Sequence, residues 1–124
     1  MILLFALAMT AAQAGKNCDN PITQTDMNIC AAQEARKADA SLNKQWSITV
    51  AALKAVDRQS DEKPTEFEKA LEAQRAWLKY RDAHCMGVSF YARGGSMQSM
   101  LYGLCHADLT RERTKQLKEL MRTN

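Results

Sequence analysis

The chain has 124 residues, 46% of them hydrophobic and 25% charged, and its 17 Lys+Arg against 14 Asp+Glu give a formal net charge of +3. That length admits one domain with one modest core. The basic residues are dispersed among acids, with no basic run and no pattern of stacking aromatics, which excludes a nucleic-acid surface. No apolar run reaches the roughly 20 residues of a stable membrane insertion.

The chain opens with an apolar run from Met1 to Met9, followed by Ala12-Gln13-Ala14, a small-x-small cleavage signature. This pattern predicts a secretory signal peptide over 1–14, without the usual basic residue ahead of the run, and a mature domain over 15–124. Gly15-Lys16-Asn17 ahead of Cys18 is not the small apolar run that precedes a lipidated cysteine. In a periplasmic or secreted protein Cys18, Cys30, Cys85 and Cys105 are expected as two disulfides.

A first helix of roughly 30 residues is expected after Pro21, with Thr23 as N-cap and Asp26 three positions on. Its apolar face runs through Met27, Ala31, Ala35, Ala38, Leu42, Trp46, Thr49, Leu53 and Val56, in steps of three and four. Arg58 to Pro64 reads as a turn. Thr65 and Glu68 form a capping box for a second helix whose stripe is Phe67, Leu71, Gln74, Leu78, Arg81 and Cys85. Met86 to Gly95 reads as a glycine-bearing loop. Ser96 is expected to cap a third helix carrying Met100, Leu104, Ala107, Thr114, Leu117 and Met121. No segment alternates as a strand does. The fold class is all-α: a small antiparallel three-helix bundle, with two long helices and a third returning against them.

If the first turn centres near residue 61, Cys85 lies level with position 37, about 10 Å along the axis from Cys30. A disulfide needs Cα atoms within about 7 Å, so Cys30–Cys85 fits poorly; Cys105 lies close in level to Cys85 across the glycine loop and Cys18 can fold back onto Cys30, which favours Cys18–Cys30 and Cys85–Cys105. The same levels place Arg81 opposite Asp39 and Asn43 and bring Trp46 to the level of Trp77. A buried polar network of Asp39, Asn43, Gln74 and Arg81 is therefore expected, fixing register more than adding stability.

Taken together, Cys18 with Thr23-Gln24, Met27-Asn28 and Cys30-Ala31, then Ala38-Asp39 and Leu42-Asn43, resemble the opening of the LprI-type, lysozyme-inhibitor-like domain. The resemblance continues through the block from Ala73 to Cys85, Gly94-Gly95-Ser96, Cys105, and Leu109-Thr110 with Arg113. It covers nearly the whole mature chain, and Trp46 departs from it where Tyr is commoner. It implies a small exported α-helical domain of bacterial envelopes, with relatives that inhibit lysozyme. The expected partner is then a protein such as a lysozyme; an adaptor module of the envelope without lysozyme inhibition is the alternative.

Signs of an enzyme are lacking. Glu68 and Glu72 share a helical face, but no nucleophile elbow, H-E-x-x-H or phosphate loop accompanies them. His84-Cys85 and Cys105-His106 invite a zinc reading, yet neighbours on a helix point about 100° apart. No catalytic residue, metal or cofactor is expected. The candidate partner-binding residues are Phe90, Tyr91, Arg93, Gly94, Gly95 and Ser96, a loop stapled at its base that supplies aromatic anchors and one cation. The same segment also reads as a plain helix–helix connection. The acidic excess from Asp57 to Glu72 is a second candidate surface, because a basic lysozyme is not steered toward a net-positive chain.

Overall fold

The computed structural model describes residues 18–121; the expected signal peptide and residues 15–17 lie outside the described residues. Among the described residues three α-helices follow one another, α1 (Gln24–Asp57), α2 (Glu66–Ser89) and α3 (Gln98–Glu119), with a 3-10 turn, Phe90–Ala92, after α2. The described chain is all-α and carries two disulfides.

Each of the first two helices starts where its capping chemistry places it. Thr23 Oγ1 accepts the Asp26 N–H at 3.1 Å, and Asp26 in the first turn and Lys54 in the last complement the helix dipole. The 34 residues of α1 extend over about 51 Å. At the start of α2, Thr65 Oγ1 accepts from the Glu68 N–H at 3.1 Å and Glu68 Oε2 accepts from the Thr65 N–H at 2.9 Å. A second clamp comes from the last residue of α1. The Asp57 carboxylate accepts the Glu66 and Phe67 N–H groups at 2.9 and 3.0 Å, tying the end of one helix to the start of the next. Asp57→Ala leaves both donors without that acceptor and is expected to lower stability by about 1–2 kcal/mol in urea denaturation.

The principal packing partner of α1 is α3, and α2 lies chiefly against α3, touching α1 sparsely. Asn28 meets Ser96, Gly103 meets Ala31, and Thr49 meets Leu117, so α1 and α3 advance in the same direction and α2 runs antiparallel to both. The close approach has a cause in the sequence. A Cβ on Gly103 would lie 3.1–3.2 Å from the backbone and side chain of Ala31, so the helices cross where neither carries bulk.

The core combines small and polar side chains with three large apolar members, Leu42, Leu53 and Leu117. Leu117, Thr49, Thr110, Cys85 and Ser89 are the largest fully buried residues. Thr49 Oγ1 donates to the Leu117 carbonyl at 2.9 Å and accepts from Gln45 Nε2 at 3.1 Å, so the buried hydroxyl joins α1 to α3 without an unmet hydrogen bond. Such a core leaves much of the stapling to sulfur. Cys18–Cys30 and Cys85–Cys105 are bonded, the pairing that the sequence favours, with Cα separations of 5.6 and 5.5 Å.

Four expectations need correction. Ser96 does not cap α3: Met97 holds that position without a side-chain hydrogen bond, because the chain already winds through a Gln98 N–H to Gly95 carbonyl bond. The glycine loop is shorter than expected, since α2 runs through Gly87 to Ser89. Asn43 is not in the polar network; its side chain faces solvent, because α3 takes the space that a closer α1–α2 pairing would have filled. For the same reason Trp46 and Trp77 form no ring pair among the described residues, and Trp77 instead carries the Arg81 guanidinium 5.1 Å from its ring centroid.

Candidate functional site

The connection from α2 to α3 is short and braced on both sides. Ser89 is fully buried; its hydroxyl donates to the Met86 carbonyl at 2.7 Å and accepts from Gln98 Nε2 at 3.3 Å. The other end of that amide, Gln98 Oε1, accepts the Gly94 N–H at 3.1 Å. From α1, Asn28 Nδ2 donates to the Ser96 carbonyl at 2.8 Å, and Gln24 Nε2 donates to Asn28 Oδ1 at 2.8 Å. Gly94 adopts φ 77°, a left-handed conformation that suits glycine, and its N–H is turned onto Gln98. The Cys85–Cys105 bridge closes the base.

What this frame presents is aromatic and cationic. Tyr91 is 88% exposed and Phe90 is 44% exposed, so neither is a core residue. The Arg93 guanidinium carbon lies 4.4 Å from the Phe90 ring centroid, a cation–π contact that holds the charge at the loop surface. All six sequence-predicted loop residues, Phe90, Tyr91, Arg93, Gly94, Gly95 and Ser96, therefore lie together on one connection. Of the two residues that brace it, Gln98 is not singled out by the sequence, and Asn28 enters the sequence reading only through the family resemblance, with no role assigned. For Gln98 a signal does exist: two residues past the expected cap, its amide brings both a donor and an acceptor within reach of the turn.

The polar network sits lower, where the three helices meet. Arg81, 8% exposed, donates through Nη1 to Asp39 Oδ1 and to Thr110 Oγ1, each at 3.3 Å, and through Nε to Asp82 at 3.0 Å. His106 Nε2 lies 2.9 and 3.0 Å from the two Asp39 oxygens. Asp39 thus joins α1 to both other helices. In the sequence His106 stands out only for its place beside Cys105. Gln74 belongs to a separate contact: its Oε1 accepts from Arg113 Nε at 2.9 Å. Burial lowers the pKa of Arg113, and its buried Nη2 has no partner among the described residues. The Tyr102 phenol, between the two regions, is raised above its usual range by burial and by the neighbouring Asp82 charge.

Three of the six acids from Asp57 to Glu72 are engaged within the fold. Asp57 and Glu68 hold the start of α2, and Glu72 pairs with Lys69 at 2.8 Å on the surface. The two histidines stand apart in role, His84 stacking on Tyr80 at 5.4 Å and His106 engaging Asp39. Among the described residues no group of three or more His, Cys, Asp or Glu could hold a metal ion, and no helix is long and apolar enough to cross a membrane.

The family model described as "Lysozyme inhibitor LprI" matches residues 16–117. An uncharacterized protein of Rhizobium meliloti (strain 1021) is 45% identical over 125 residues, which cover 98% of this chain and 90% of the relative. No solved structure gives a significant match.

Proposed function

The chain belongs to the LprI lysozyme inhibitor family, and from that membership we propose that it is an exported protein of the bacterial envelope, periplasmic or secreted, that binds and blocks a muramidase. The observation that carries the reading is the braced connection after α2, which offers Tyr91 and Arg93 on a backbone fixed by Gln98, Asn28 and a disulfide. A muramidase cleft contains two carboxylates flanking the glycosidic bond. Arg93 supplies a charge-assisted partner for one of them, and Tyr91 supplies rigid apolar area for the cleft wall. A loop that is already ordered loses little conformational entropy on insertion.

The test is inhibition of cell-wall lysis by a panel of muramidases of different types. At least one is expected to be blocked. The double variant Tyr91→Ala/Arg93→Ala is expected to weaken that inhibition by about 30-fold or more, the loss of about 2 kcal/mol typical of an interface hot spot. Charge reversal at Glu66 and Glu72 is expected to leave it intact; Glu68 is unsuitable because it closes the capping box. Inhibition lost only on charge reversal would move the interface to the acidic end. No inhibition of any muramidase by the disulfide-bonded protein would favour an envelope adaptor module.

A further inference from the structure

Beside the close crossing of α1 and α3 at Ala31 and Gly103 lies a groove between the two helices. It has a volume of about 490 Å3, within the size range of small-ligand sites. Ile29, Ala32 and Ala35 line it from α1, with Tyr102 and Gly103 from α3, and its accessible surface is almost wholly apolar. Ile29 remains 37% exposed there. Past Tyr102 and Ser99, which both hollows share, a second concavity of about 450 Å3 continues to Gly95 and Ser96 at the base of the loop.

The charges beside this groove are unequal. Asp39 is taken by Arg81 and His106. Glu34, the acid nearest in sequence on the other side, is shared by Lys37 and Arg111. Arg36 lines the groove, is exposed, and has no carboxylate partner among the described residues. An apolar trough with an unmatched guanidinium on its bank suits an anionic head on a flexible hydrocarbon chain, and a carboxylate is the simplest such head. We propose that the α1–α3 groove binds an acyl carboxylate of the fatty-acid class, the chain lying over Ala32, Ala35 and Gly103 and the carboxylate paired with Arg36. The site is separate from the loop tip and does not depend on inhibition of a muramidase.

Sodium octanoate is the probe, titrated into the disulfide-bonded protein and followed by amide and methyl chemical shifts, with octanol and octylamine as matched controls. Saturable shifts at Ile29, Ala32, Ala35 and Gly103 are expected with octanoate, and weaker binding with octanol and octylamine. Arg36→Gln, at an exposed position with no partner to lose, is expected to keep the helical signal and melting temperature while weakening octanoate binding by about tenfold, the scale of a charge-assisted hydrogen bond. Ala35→Phe, filling the trough, is expected to abolish the shifts; its fold is checked by helical signal alongside. Equal binding of the three probes, an unchanged Arg36→Gln, or shifts scattered over other exposed apolar residues would overturn the proposal. So would concentration-dependent shifts at the same residues without any probe, which would identify a second copy of the chain as the occupant.

Discussion

Replacing Cys85 and Cys105 together by alanine is expected to lower the unfolding free energy by about 3 kcal/mol. The bridge closes a separation of 20 residues, and the chain-entropy estimate for such a loop is about that size. Domains of this kind have only about 5–15 kcal/mol in total. The core has little reserve, since its fully buried members are mainly threonine, serine and cysteine around Leu117. Removing the Cys18–Cys30 bridge, with its separation of 12, should cost nearly as much, because the estimate varies only with the logarithm of loop length. The two losses differ in their second effect. Cys85 and Cys105 join the end of α2 to α3 beneath the Phe90–Ser96 segment, so their removal also loosens the loop; Cys18 and Cys30 anchor the chain ahead of α1. Urea denaturation of both double variants, read with hydrogen exchange at Gly94 and Gly95, separates these effects. Faster exchange at the glycines is expected for the first pair alone.

Asp39→Ala is expected to destabilise the protein by about 1–3 kcal/mol, because it removes the half-exposed carboxylate that both Arg81 and His106 reach and leaves the buried guanidinium with Asp82, Thr110 and the Trp77 ring. The sign of the companion experiment is the more informative part. Arg81→Met removes the buried charge itself and fills its place with an apolar chain of similar length, so Asp39→Ala combined with Arg81→Met should be less destabilised than Asp39→Ala alone. A double variant close to the unsubstituted protein would show that the pair adds little net stability. A double variant worse than either single change would mean that the pair adds stability outright.

Much of this architecture was legible in local chemistry. Thr23 and the Thr65–Glu68 box marked where helices begin because capping depends on residues a few positions apart. Levels counted from one turn set Arg81 opposite Asp39 and argued against Cys30–Cys85 because helical rise is nearly constant, and the short glycine loop brought Cys105 to Cys85. The partner of each face was not legible. An apolar stripe on α1 states which side is buried but not whether α2 or α3 covers it, and the decisive residue, Gly103, read only as one glycine of a group. Assigning the stripe to α2 is what drew Asn43 inward and paired Trp46 with Trp77. The site was half visible: the loop residues stood out by composition, whereas Gln98, Asn28 and His106 act across separations of 4, 68 and 67 positions. The separations of 68 and 67 carry no local signal, and the short one was hidden by the expectation that Ser96 capped α3.

Hydrogen exchange of the intact, disulfide-bonded chain, alone and saturated with a muramidase that it inhibits, tests the loop assignment most directly. Protection concentrated at residues 90–96, with no more than slight change across 57–72, is the predicted result. Unchanged exchange over 90–96 in a complex that still blocks the enzyme would contradict it.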